Sequence, residues 1–329
     1  MKNQLKQFIM TALESLSTKN SEIIGTKFEE GTEGDPYLFI VKPESIYYQN
    51  SEENLDEILE IVLGTLKKNQ INIKSAAIFN GYFAKENTIP EKQYYTLNKF
   101  AKYDVRRGSI PIQLRGLENP IGSYPFLELF PEITPEKLEI LSHKSGSRKL
   151  GNGIYIFDYV YKGKLYNILN AFHPYQVKHF SKPQNRFIVL FGLTDLEPEF
   201  ISSNIVGFFR PEDAKIESIR GRLYTNQTEL GIEISTIYNG IHVSPSPLEA
   251  IKSYQLYFSG DSLTDINFYK SLFDKNIFGA EKVNIFDNPV VTYNGETQPI
   301  FEFCEGKRLT EIIKIVKDSN LNDYYTACK

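Results

Sequence analysis

Two short stretches constrain this chain more than anything else in it. YLFIV (37–41) follows the turn signal Gly34-Asp35-Pro36, and in RFIVLFGL (186–193) every residue between Arg186 and Gly192 is a large apolar one. Runs this short and this apolar predict buried strands rather than half-buried, alternating ones. Further elements can be read around them. Residues 54–68, NLDEILEIVLGTLKK, carry apolar side chains at helical spacing and end in lysines, which suit a helix C-terminus. INIKSAAIF (71–79) reads as a strand, and PEKQYYTLNKFAK (90–102) as one helix opened by proline.

After residue 102 the texture changes. Residues 103–153 are rich in Gly, Pro and Ser, with turn signals at RRGS, ENPIGSYP and KSGSRKLGNG, and predict an irregular insertion. YIFDYVYKGKLYNIL (155–169) predicts a hairpin about Lys162-Gly163. HPYQVKHF (173–180) and EPEFISSNIV (197–206) read as helices, IEISTIYNGIH (232–242) as a strand running into His242, and SPSPLEAIKSYQLYF (244–258) as a capped helix. An amphipathic helix is expected over 4–17. This order predicts an α+β fold: a ferredoxin-like βαββαβ sandwich with an antiparallel sheet and helices mainly on one face.

Bulk properties narrow the function classes. At 329 residues, with 41% hydrophobic and 24% charged residues, the composition is that of a globular protein with a substantial core. A formal net charge of −4 argues against a dominant nucleic-acid surface while leaving room for a local basic pocket. No stretch reaches membrane-spanning length, and the N-terminus lacks the continuous apolar core of a signal peptide. Cys304 and Cys328 have no metal-ligand spacing, and the simplest setting is a cytoplasmic one.

Several segments, in collinear order, resemble nucleoside diphosphate kinases. The first strand ends in Lys42-Pro43-Glu44, like that family's Lys-Pro-Asp/Glu turn, and Lys92-Gln93-Tyr94-Tyr95 resembles a stretch of its helix pair. FHPYQVKHF (172–180) followed by RFIVLFGL is similar to the opening of its second half. FFRPEDAKIESIRGRL (208–223) matches its phosphate-binding loop at Pro211, Asp213, Ile219, Arg220 and Gly221. YNGIHVSPSPLEAIKSYQLYF brings Asn239, His242, Ser244 and Ser246 into register with its Asn-x-x-His-x-Ser-x-Ser signature. The resemblance covers roughly 37–102 and 170–258. It implies a domain over 37–258 interrupted by an insertion at 103–169, with an N-terminal helical extension (1–36) and a C-terminal extension (259–329).

What the resemblance implies is chemistry by phosphohistidine. His242 would take the γ-phosphate of a nucleoside triphosphate and pass it to a nucleoside diphosphate. A neutral imidazole is a competent nucleophile near neutral pH, and phosphoryl transfer is mostly positioning and charge stabilisation. Lys42 and Arg220 would grip phosphate, Tyr95 would position it, Asn239 would contact the ribose, and His173 stands where the family stacks the base. Mg²⁺ would enter with the nucleotide phosphates, and a homo-oligomer is compatible with the family. The insertion itself has two expected destinations: a cap that brings its basic residues Arg106, Arg107, Lys144, Arg148 and Lys149 to the cleft, or a new subunit or partner contact.

The bland readings are definite too. A histidine at a strand end is by default structural or solvated, Arg220 and Lys42 would by default be surface charges, and Asn239 would by default shape a turn. Departures from the family also matter. Two phosphate ligands fall at Ser203 and Phe209, with Arg210 displaced by one position as a replacement charge. The carboxylate that orients the imidazole falls at Ser253, with Glu249 one turn nearer on the same helical face as a substitute. Two further readings therefore stand beside the enzyme: a non-catalytic nucleotide-binding, sensing or assembly module, and a phosphotransferase specialised for another acceptor.

Overall fold

The computed structural model describes residues 2–16, 19–28, 33–46, 51–107, 114–151, 153–258 and 284–321. Cys328 lies outside them, as do residues 259–283. In chain order the strands are β1 (Ile23–Lys27), β2 (Asp35–Val41), β3 (Asn72–Asn80), β4 (Pro120–Gly122), β5 (Arg148–Gly151), β6 (Ile154–Tyr161), β7 (Lys164–Leu169), β8 (Arg186–Thr194), β9 (Ile241–Val243), β10 (Val290–Tyr293), β11 (Glu296–Pro299) and β12 (Asn320–Leu321). The fold is of the α+β kind. Two compact units are present: one takes in the described residues up to Phe83 and from Pro183 onward, the other those of 84–182. The second unit thus holds 84–102 and 170–182 together with the whole of 103–169. Among the described residues no helix is long and apolar enough to cross a membrane.

The first unit is built on a five-stranded sheet in the order β1-β3-β8-β2-β9, antiparallel at every pairing. All seven residues of β2 are buried, because both faces of the sheet are covered. Tyr37, Phe39 and Val41 on β2, Ala76 and Ile78 on β3, and Ile188 and Leu190 on β8 share one core with Ile9 and Leu13 of the helix Lys2–Ser15 and with Ile58, Ile61 and Val62 of the helix Glu52–Lys68. The alternate residues face the other way: Phe191 meets Tyr254 edge-on at 4.6 Å, and Phe79 stacks on Phe187 at 4.6 Å and on Tyr257 at 5.5 Å. The helix Glu52–Lys68 has the expected ends. Ser51 accepts from the Asn54 N–H, Glu52 and Glu53 stand in the first turn, and Lys67 and Lys68 in the last.

At the far end of β2, Arg308 holds the C-terminal segment in place. Its guanidinium is bonded to Asp35, to the Asp195 carbonyl (2.8 Å) and to Glu197 (3.2 Å). The helix Leu309–Asp318 starts from that residue, and the small sheet β11-β10-β12 lies in the same segment.

Four expectations need correction in detail. Residues 1–36 contribute β1 as well as a helix. The helix expected over 90–102 is two, Ile89–Gln93 and Tyr95–Ala101, broken where Tyr94 leaves helical geometry (φ −101°, ψ 48°). The segment 197–206 is a short helix, Pro198–Phe200, running into a π-helical stretch, Ile201–Val206. The strand expected over 232–242 is confined to β9. Ile232 and Ile234 instead drop into the helix-side core, and Ser235 closes a turn with Tyr238 through both backbone and hydroxyl.

The second unit is more regular than its Gly and Pro content suggests. Its sheet runs β4-β7-β6-β5. The β6–β7 hairpin turns at Lys162 (φ 51°) and Gly163 (φ 76°), as the Lys-Gly pair predicts. The supposedly irregular stretch contains the helices Ser123–Leu129 and Pro135–Ser145. The second has legible signals: Thr134 accepts from the Lys137 N–H, Pro135 opens it, and Gly146 (φ 81°) ends it. Phe126 centres the core of this unit, with rings of Phe130, Tyr159, Tyr161 and Tyr166 at 5.0–6.3 Å.

Candidate phosphate site at the β2–β9 edge

The site is assembled around Gly240. The Lys-Pro-Glu turn after β2 is a single 3₁₀ turn, Pro43–Ser45, and it docks onto a residue some 200 positions later. The Gly240 carbonyl accepts from the Lys42 N–H (2.8 Å) and from the Ser45 hydroxyl (3.0 Å). The Gly240 N–H donates to Glu44 Oε1 at 3.0 Å. Gly240 has φ 79°, and a Cβ there would lie 2.6 Å from Ser45 Oγ, so glycine is needed twice over. This junction delivers the next two residues into β9, where His242 pairs with Ile40.

Two cations flank the imidazole. Lys42 is buried and pairs with Glu44 at 3.0 Å, while Glu44 itself is wholly buried. Burial pushes the Lys42 ammonium down from its ordinary range; Glu44 opposes that shift and Arg220 adds to it. Arg220 sits in the first turn of the helix Ile219–Thr225, which Ser218 caps through the Gly221 N–H (3.1 Å). Its guanidinium spans two strands of backbone, donating at 2.7 Å to the Gly207 carbonyl and at 2.7 Å to the Ile241 carbonyl. His242, half-buried, is pushed down to about 3, first by burial, then by Lys42 and by Arg220. The imidazole is therefore neutral at physiological pH.

The other expected residues fall into different places. Asn239 lies beside this cluster and donates to the Phe209 carbonyl at 3.3 Å. Arg210 is exposed, 3.8 Å from Asp213, with its guanidinium 5.4 Å from the centre of the Phe209 ring. Ser244 is spent on the sheet: its hydroxyl accepts from the Leu38 N–H (3.1 Å) and its own N–H donates to the Leu38 carbonyl (2.9 Å). Ser246 caps the helix Pro247–Tyr254: its hydroxyl accepts from the Glu249 N–H (3.3 Å) and donates to the Glu249 carboxylate (3.2 Å). Burial, with Glu305 and Glu302 nearby, raises its carboxyl to about 8, and Ser246 and Lys252 oppose that rise. Its acidic neighbours are thus on the C-terminal segment. Ser203 donates to the Glu199 carbonyl at 2.5 Å, Phe209 is half-exposed, and Ser253 is buried.

Tyr95 and His173 belong to the second unit. Tyr95 opens the helix Tyr95–Ala101 and is exposed. His173 is wholly buried, with Nδ1 3.0 Å from Gln176 Oε1 and its ring edge-on to Tyr124. Burial first, and Lys102 after it, hold it down to about 4. It has no accessible surface on which a base could stack, so that expectation is withdrawn. In the insertion, Arg106 is engaged by Asp104 and Arg148 by Asp158. Glu44, Ser45 and Gly240 were missed as site-building residues. Their signal was present, a Lys-Pro-Glu-Ser turn and an Asn-Gly step before the histidine, but only the fold puts them in contact.

No protein-family model matches this chain, and no curated protein does. A solved structure similar to it is that of an NDP kinase from Pyrobaculum aerophilum, at 16% identity over 69% of this chain and 97% of that one, with a TM-score of 0.37. So low a score has no bearing on function.

Proposed function

We propose that this chain is a phosphotransferase that carries the γ-phosphate of a nucleoside triphosphate through a phosphohistidine at His242 to a nucleoside diphosphate. The observation that carries the reading is the meeting of Lys42, Arg220 and His242 at the β2–β9 edge, from three separate stretches of sequence. The strand order β3-β8-β2-β9, with helical segments between β2 and β3 and between β8 and β9, supports the ferredoxin-like βαββαβ arrangement, with β1 added at one edge.

In the proposed reaction a neutral imidazole nitrogen of His242 attacks the γ-phosphorus. A nitrogen–phosphorus bond forms, the bond from that phosphorus to the β–γ bridging oxygen breaks, and the diphosphate leaves with the electron pair. The reverse step, with a new diphosphate oxygen as nucleophile, regenerates the imidazole. The depressed basicity of His242 keeps its lone pair available. Arg220 offers a planar fork and Lys42 a point charge to the transferring oxygens. Mg²⁺ belongs to the substrate, arriving on the nucleotide phosphates. Among the described residues no group of three or more His, Cys, Asp or Glu side chains is placed to hold a metal ion. Asn239 would contact the sugar.

A second reading is favoured by one specific feature. Lys42 is held by buried Glu44, and Arg220 by two backbone carbonyls, so both cations already have partners. Together with the positions of Ser203, Phe209 and Ser253, this favours a module that binds nucleotide without turning it over. Incubation with γ-labelled ATP and Mg²⁺ decides between them. The phosphotransferase gives acid-labile, alkali-stable protein phosphate that His242→Ala abolishes. Equal labelling of both proteins, or none in the wild type, rejects His242 as nucleophile.

A further inference from the structure

With His173 buried, the proposed nucleotide has a phosphate grip but no surface for its base. The same edge of the first unit supplies one. Phe208 and Phe209 are adjacent, half-exposed and packed on each other, ring centres 4.5 Å apart at 50°. Exposed single apolar residues are ordinary. A touching pair of exposed aromatic rings with an Arg guanidinium over one of them is an arrangement that accepts flat aromatic ligands.

The pair is also held rather than loose. Gly207, just before it, has φ 101°, and any Cβ there would collide with Ser218. The Gly207 carbonyl is fixed by Arg220 (2.7 Å) and the Phe209 carbonyl by Asn239 (3.3 Å). Arg220 reaches from that same carbonyl to Ile241, the residue before His242. The backbone that presents the rings is therefore tied directly to the phosphate cluster. The Pro211–Asp213 turn beyond it is anchored in its turn by Thr236, which donates to Glu212 at 3.2 Å.

From this geometry we infer that Phe208 and Phe209 are the platform on which the nucleobase of the phosphate donor stacks, an inference that rests on the phosphotransferase reading. A nucleoside's sugar separates base and phosphates by only a few bonds, and Asn239, which binds the Phe209 carbonyl and leads through Gly240 and Ile241 into His242, is the residue offered to that sugar. Phe209, which removes a phosphate ligand expected by resemblance, on this account replaces it with a base contact. The residues are positioning residues for the donor and do not take part in the transfer.

The test separates base from phosphate. Calorimetric titration of the full chain with Mg²⁺ATP and with Mg²⁺ tripolyphosphate is compared for wild type, Phe208→Ala, Phe209→Ala and Phe209→Tyr. Phe209→Ala should weaken ATP binding by about tenfold or more, the size of one base–aromatic stacking contact, and leave tripolyphosphate binding unchanged; Phe209→Tyr should restore ATP. The chain has no tryptophan, so Phe209→Trp installs a sole tryptophan, whose selectively excited fluorescence is to be quenched by ATP and not by tripolyphosphate. Equal losses for both ligands, no loss for ATP, or wild-type ATP and tripolyphosphate affinities that are the same would each overturn the platform. The last two outcomes leave these rings to another partner. Failure of the transfer reading is registered separately, by His242→Ala labelling, and a protein that binds ATP through these rings without labelling His242 keeps the platform and loses the enzyme.

Discussion

The proton affinity of His242 is the most exposed consequence of this site. An imidazole lowered from 6.5 to about 3 stays about 99% neutral at pH 5, where an unperturbed one is only about 3% neutral. Over pH 8 to 5 an ordinary histidine nucleophile would lose about thirtyfold of its reactive form, and His242 almost none. The chain has four histidines, so the ring protons can be followed by NMR and assigned with His242→Gln. Wild-type His242 should show no titration between pH 5 and 8. Lys42→Met should move its midpoint upward, since one repelling cation is gone, yet leave it below 6.5, because burial is the larger cause. Stability follows with a definite sign. Between pH 6.5 and about 3 the unfolded chain binds a proton at this residue that the folded chain does not. Stability therefore falls with falling pH in that window, by at most about 1.4 kcal/mol per pH unit. His242 is half-buried rather than fully enclosed, which makes the slope smaller. In denaturant titrations the acid slope should shrink in His242→Gln. A His242 midpoint between 6 and 7, unmoved in Lys42→Met, would refute the cluster as described.

Further outcomes follow from single contacts. Glu44→Gln removes the charge partner of buried Lys42 beside Arg220, and should cost about 3–5 kcal/mol in urea unfolding; a loss under about 1 kcal/mol would mean that Lys42 finds solvent instead. Arg220→Lys keeps the charge but cannot span the Gly207 and Ile241 carbonyls, so phosphorylation of His242 should fall by at least about tenfold, and wild-type rates would remove the guanidinium fork from the mechanism. Gly221→Ala places a methyl group against the Lys215 carbonyl and should lower the melting temperature, whereas an unchanged melt would show that the 215–221 loop can yield. Ser246→Ala deletes the cap of the helix Pro247–Tyr254 and should cost about 1 kcal/mol, read as a shift in the unfolding midpoint.

Much of this protein is legible in local sequence. The buried runs at β2 and β8, the helix Glu52–Lys68 with its charged ends, and the Lys162-Gly163 hairpin follow from periodicity and turn chemistry, which act over a few residues. The motifs around Lys42, Arg220 and His242 are likewise visible as short patterns. Local sequence misled where long-range packing overrode it. Ile232 and Ile234 look like a strand leading to His242, but the helix-side core takes them and leaves β9 with three residues. Residues 103–153 look irregular because turn residues are frequent, yet Phe126 and its tyrosine neighbours give two helices and a hairpin a shared core. The site itself belongs to the tertiary structure. That Gly240 binds both ends of the Lys42–Glu44 turn, that Arg220 bridges Gly207 and Ile241, and that His173 is buried away from any base are contacts between residues far apart in the chain. A sequence read in windows contains the groups that make those contacts but not the distances between them, and those distances decide which cations are paired and which proton is held.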